Sequence, residues 1–167
     1  MRSRFLPEGR LLHTPENEAA CASRDGLRRA MEEETVLEGV AQLCDGAHNL
    51  LVSVGPFTGF LPREEAALGI AEGTTREIAI LSRVGKPVCF QITALEESEG
   101  VLRPRLSRRR AQQAALDAML AGLHPGCILP AVVTHLESFG AFVDIGCGIA
   151  SLLPIDAISV SRIAHPS

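Results

Sequence analysis

Tryptophan and tyrosine are missing from this 167-residue chain, and phenylalanine occurs only six times, so the place of each Phe carries unusual weight. Long apolar runs are missing too: none approaches the roughly 20 residues that span a bilayer, and no membrane association is expected. Before Pro7 the N-terminus offers Arg2 and Arg4 but only Phe5-Leu6 as apolar residues, too little for a secretory signal, so a cytoplasmic location is expected. An excess of positive charge is also lacking. Sixteen Lys and Arg against twenty Asp and Glu leave a net charge of -4 and no protein-wide field for polyanions; any nucleic-acid contact must be local.

The five cysteines, Cys21, Cys44, Cys89, Cys127 and Cys147, include no CxxC pair, which argues against a disulfide framework or a zinc knuckle and for free thiols, buried or half-buried. Catalytic signatures are absent as well. The histidines His13, His48, His124, His135 and His165 have no metal-binding spacing, and no nucleophile elbow, phosphate loop or dinucleotide fingerprint occurs. Glu64-Glu65 and Glu96-Glu97 are adjacent, but neighbours on a strand or helix do not converge on one substrate atom. The expectation is a protein that is no enzyme, with no cofactor, metal or small-molecule substrate.

What is present is 46% hydrophobic residues, enough for a core, in a length that suits one domain or two small ones. Residues 1–33 read as an arm and a short helix over Ala19 to Met31, with Thr14-Pro15 near its start. From 34 to 106 the texture is β: strands over Val36 to Leu43, Asn49 to Val54, Thr58 to Pro62, Arg76 to Leu81, Lys86 to Leu95 and Val101 to Leu106, separated by Gly-marked turns. Residues 107–123 read as a linker helix capped by Ser107 and ended by Gly122. In 124–167 three strands follow, over Ile128 to Leu136, Ala141 to Ile145 and Ala150 to Ile155.

The two β regions match at a near-constant offset. Val40, Leu43, Val52, Val54, Gly55 and Pro62 correspond to Val133, Leu136, Val143, Ile145, Gly146 and Pro154, as two copies of one supersecondary unit would. In the second copy Ala141, Val143 and Ile145 share one face of a strand, while Phe142 and Asp144 share the other, with Phe139 just upstream of Gly140. If the aliphatic face is core, Phe142 points outward and forms with Phe139 a stacking surface for nucleobases. The alternative packs Phe139 under the turn and Phe142 against the linker helix.

The stretch from Gly126 to Ile155, with its Phe139-Gly-Ala-Phe-Val143 core, resembles the RNA-binding domain named after ribosomal protein S-one. From about Glu34 onward the chain looks like the N-terminal part of the shorter S-one-like proteins of Gram-positive bacteria, ending at Ser167 before the last strands of the family's domain. The resemblance implies a mainly β fold: two OB-type β-barrels joined by an α-helix, the second incomplete with about three strands. It further implies binding of single-stranded RNA or mRNA in translation through Phe139, Phe142, His135, Arg162 and Asp144. Where the family has a histidine on the third strand, this chain has Pro154. In the first copy the positions equivalent to Phe139 and Phe142 fall near His48 and at Leu51, and Phe60, matching Leu152, reads as core. Such a weakened first barrel implies docking on the 30S ribosomal subunit or on a protein.

Arg103, Arg105, Arg108, Arg109 and Arg110 form the concentrated basic patch. They either contact phosphates or form a solvated surface paired with Glu96, Glu97 or Glu99. Because a helix N-terminus repels cations, three arginines there call for a compensating anion or acidic partner.

Overall fold

The structure, a computed structural model, describes residues 5–167; Met1 to Arg4, the start of the expected arm, lie outside the described residues. Thr14 and Ser23 are extended residues whose side chains accept the N–H groups of Asn17 (3.3 Å) and Gly26 (3.1 Å). Two such caps in succession split the single expected helix into α1 (Pro15–Cys21) and α2 (Arg24–Glu32). Asn17 fastens α1 to the sheet: its Oδ1 accepts the Glu38 N–H at 2.8 Å and its Nδ2 donates to the Glu38 carbonyl at 3.0 Å.

Five strands follow: β1 (Leu37–Cys44), β2 (Leu50–Val54), β3 (Phe57–Leu61), β4 (Pro87–Ser98) and β5 (Val101–Ser107). Their alternation sends Leu50, Val52, Val54, Leu61, Val88, Phe90 and Leu106 inward, where α2 adds Leu27. Burying each such side chain is worth roughly 1.5–3 kcal/mol. The strands close into a barrel in the order β1-β2-β3-β5-β4, with β1 pairing to both β2 and β4 and β3 meeting β5 in parallel at Phe60 and Arg105. This closed five-stranded barrel is consistent with the expected OB type. At Gly39 a Cβ would collide with the Ser53 carbonyl oxygen, so only glycine allows β1 and β2 to pass so closely there.

The strand expected over Arg76 to Leu81 is a helical turn instead, α3 (Ile78–Leu81). Ile80 alone is buried and Ile78 and Leu81 are exposed, so the segment has a single anchor and no alternating face. Beyond β5, Ser107 caps α4 (Arg108–Gly122) by accepting the Arg110 N–H at 3.0 Å. Then come β6 (Val132–Glu137), β7 (Gly140–Asp144), β8 (Ala150–Pro154) and α5 (Ile155–Ile158). The first of these strands begins later than expected, because Ile128 is exposed and Pro130 offers no N–H to a ladder. The three strands form an open sheet in the order β6-β7-β8.

Strand register shows the internal repeat directly. Val40, Ala41, Leu43 and Cys44 face Ser53, Val52, Leu51 and Leu50, with a bulge between Ala41 and Leu43. Val132, Val133, His135 and Leu136 face Asp144, Val143, Phe142 and Ala141, with a bulge between Val133 and His135. The first strands therefore correspond one residue away from the sequence match: Leu43 stands where His135 does, and Leu51 where Phe142 does. Phe60 faces Leu51 as Leu152 faces Phe142. Phe60 is thus half-buried on the barrel's outer wall beneath Arg105, since its neighbours Gly59 and Leu61 take the inward positions and it does not join the core.

Glu38 on β1 is buried inside this framework. Its Oε2 accepts the N–H groups of Gly9 (2.9 Å), Leu11 (3.2 Å) and Leu12 (3.0 Å), while Oε1 has no partner among the described residues. Burial pushes its pKa up to about 7, against the pull of those three N–H groups. A carboxyl that binds its proton more tightly folded than unfolded contributes most at low pH, and that contribution is lost as pH rises from about 4.5 toward 7. Chemical denaturation should show stability falling over that window by at most about 3 kcal/mol, and Glu38→Gln should flatten the fall.

The open sheet leaves both outer edges unpaired and its aliphatic face partly bare, with Val133, Leu136 and Leu153 exposed. Amide hydrogen exchange should accordingly be faster in Val132–Pro154 than in β1, β2 and β4; equal protection would contradict this.

Candidate nucleic-acid interface

On the open sheet the outward positions gather three rings. His135 on β6 and Phe142 on β7 are cross-strand partners whose centroids lie 6.3 Å apart at an interplanar angle of 27°. Phe139, in the β6–β7 turn, meets Phe142 edge to face at 6.2 Å and 88°. The turn is fixed from beneath, because the Phe139 carbonyl accepts the Ile155 N–H at 2.9 Å. A Cβ on Gly140 would strike the Leu153 carbonyl, so glycine lets β8 close against the turn. Phe139 is 53% exposed, Phe142 is half-buried under its neighbours, and neither joins a core cluster. His135 Nε2 lies 2.6 Å from Glu137 Oε1, which orients the imidazole. Leu152 on β8, 45% exposed, extends the surface beyond Phe142.

The other expected contacts fare differently. Arg162 is exposed in the irregular segment after α5, and the structure does not bring it against the rings. Asp144 departs from its expected place: it is buried, Oδ1 accepts the N–H groups of Gly146 (2.8 Å) and Gly148 (3.0 Å), and Oδ2 accepts that of Glu8 (2.9 Å). Both oxygens are engaged in shaping the β7–β8 turn and holding the arm, and its burial takes it off the exposed surface that carries the rings.

The arginine patch divides. Arg103 and Arg105 alternate outward on β5; Arg105 lies 3.5 Å from Glu96 and its guanidinium sits 5.6 Å over the Phe60 ring. Arg109 pairs with Glu72 at 3.0 Å, and Arg110 is exposed. Arg108 overturns the expectation of a phosphate contact. It is buried and clasped by Glu8: Nη2 donates to Oε1 at 2.6 Å, Nε donates to Oε2 at 2.9 Å, and Nη1 donates to the Ala66 carbonyl at 3.2 Å. The anion that the arginine-rich helix start called for comes from the chain's own arm. Burial pushes the Glu8 pKa up, but the charge and hydrogen bonds of Arg108, with Arg83 and the Cys89 N–H, outweigh it and hold the carboxyl below its ordinary value. Sequence reasoning missed this partner; the repulsion at the helix start was the signal, but nothing local pointed to a residue so far upstream.

Among the described residues no group of three or more His, Cys, Asp or Glu could hold a metal, and no helix is long and apolar enough to cross a membrane.

The arrangement is that of a mainly β chain with a closed barrel and, on a second sheet, an exposed cluster of rings. No protein-family model matches the chain. Its relatives in sequence are ribosomal. Small ribosomal subunit protein bS1 of Neisseria meningitidis is 29% identical over 147 residues, 84% of this chain and 24% of that protein. The protein of the same name from Mycobacterium tuberculosis is 28% identical over 165 residues, 96% of this chain and 32% of its own length. The chain therefore spans a third or less of the length of the relatives it matches. They support the resemblance to the ribosomal protein S-one family read from the motif around Phe139 and Phe142. The solution structure of GSP13 from Bacillus subtilis is 19% identical, covering 58% of this chain and 64% of that one, at a TM-score of 0.35, too low to carry an argument.

Removing one member of a buried ion pair strands the other, at a cost of about 3–5 kcal/mol. Glu8→Ala should lose that much in urea denaturation at neutral pH, while Glu72→Ala, facing the half-buried Arg109 at the surface, should lose less than about 1 kcal/mol.

Proposed function

We propose that this chain binds single-stranded RNA, including mRNA, in translation and performs no catalysis, acting in the cytoplasm. The observation that carries the reading is the outward cluster of His135, Phe142 and Phe139, whose π-faces can take successive bases with little regard to sequence. In this reading residues 124–167 form the start of a second OB-type barrel, which the repeated register and bulge support. Arg162 adds a charged contact, and the exposed Arg103 and Arg110 remain available to phosphates. Residues 34–106 form the docking barrel, for the 30S ribosomal subunit or a protein on it, joined to the second unit by the helix within 107–123. Support for docking lies in the outward row Leu43, Leu51 and Phe60, where the first barrel presents aliphatic groups and an Arg105-capped ring in place of a stacking surface.

Titration of a fluorescent single-stranded RNA should show binding that weakens with salt through counterion release. Phe142→Ala should weaken it by 1–3 kcal/mol per stacked base, roughly 5- to 150-fold. Indifference to both changes would sink the proposal and favour a protein-binding adaptor, whereas a nuclease region in the same gene would favour an accessory part of an RNA-processing enzyme.

A further inference from the structure

All five cysteines are free thiols, but two of them are neighbours across the junction between the barrel and the open sheet. Cys89 lies on β4 and Cys147 in the β7–β8 turn, and both are buried in one small cluster with Ala111 and Ala115 of α4. The arm holds them from the same side: the Cys89 N–H donates to Glu8 Oε2 at 2.8 Å, and the Cys147 N–H donates to the Leu6 carbonyl at 2.9 Å. Gln112 Nε2 on α4 donates to the Cys147 carbonyl at 3.1 Å, fixing the turn from the other side. Between Gly146 and Gly148, Cys147 has a φ of 50°, a left-handed conformation that glycine adopts at lower cost. The fold thus holds a thiol, in an unfavourable backbone conformation, in the same small buried cluster as a second thiol.

We propose that Cys89 and Cys147 form an intramolecular disulfide under peroxide, a modification that fastens the β7–β8 turn to β4 of the barrel. A peroxide oxidises one thiolate to a sulfenic acid, and the second thiol displaces its hydroxyl as water. In sum two thiols lose two electrons and two protons while hydrogen peroxide becomes two waters. Small-molecule thiols reverse the bond by exchange. Burial and the facing Cys147 thiol push the Cys89 pKa well up, so the closed state carries almost no thiolate there. Reaction therefore waits on local opening of the arm and turn and is slow in the native protein. This chemistry does not depend on what the aromatic surface binds.

The test uses the full chain with Cys44→Ser and Cys127→Ser, which removes the two half-exposed thiols that would react first. After hydrogen peroxide under native conditions and alkylation, non-reducing peptide mass spectrometry should find the Cys89 and Cys147 peptides joined with the loss of two hydrogens. Cys21 should remain alkylatable once the chain is unfolded. Amide exchange in Gly140–Pro154 should slow in the oxidised protein, return to its former rate on reduction, and stay unchanged by peroxide in a Cys147→Ser derivative. Three outcomes would each overturn the proposal: both thiols surviving exposure that fully oxidises Cys44 and Cys127 in the parent chain, their conversion to sulfinic acids without a link, or linkage found only in denaturant.

Discussion

A single carboxylate, Glu8, sits where three parts of the molecule meet. Its side chain neutralises Arg108 at the head of α4 and takes the Cys89 N–H on β4, while its backbone N–H donates to Asp144 on the open sheet. Two charges this deep tolerate one another only with their remaining hydrogen-bonding capacity filled, and here the Ala66 carbonyl and the Cys89 N–H fill it. The same constraint explains Asp144: two turn N–H groups and one arm N–H engage both of its oxygens, so the β7–β8 turn and the arm share one anchor. With the arm held there, Gly9, Leu11 and Leu12 come within reach of Glu38, which ties the arm to β1 as well.

The elements whose pattern repeats with a fixed period were legible in the sequence. Alternation in β2 and the N-cap and composition of α4 each follow from residues close in the chain, whereas local pattern leaves Phe142 a choice between facing outward and packing on the linker helix. What was not legible depended on distant partners. The short turn α3 has apolar β-branched residues that mimic a strand, yet only Ile80 finds a core to enter. Phe60 reads as core in the sequence because an apolar residue, Leu152, matches it in the second copy; in the structure the two hold equivalent outward positions, opposite Leu51 and Phe142. Arg108 and Asp144 read as ligand contacts because charge on a motif invites that reading, and only the arm's long reach reveals them as partners of the protein itself.

Within the ring cluster the three side chains are not equivalent. Phe142 lies between His135 and Phe139 on a paired strand, whereas Phe139 rides on the turn, where its carbonyl accepts the Ile155 N–H. Pro154 faces Gly140 across the ladder and brings a ring without donors, so that side of the cluster presents no side-chain hydrogen-bond donor.

The matched bulges of the β1–β2 and β6–β7 ladders have a wider consequence. One hydrogen-bonding lattice underlies Leu43, Leu51 and Phe60 in the first unit and His135, Phe142 and Leu152 in the second. Because those side chains lie on the outer face and outside the core clusters, their identity can change with little disturbance of the interior. Duplicate scaffolds can in this way come to display different surfaces, one mainly aliphatic and one mainly aromatic, through a handful of exchanges at outward positions.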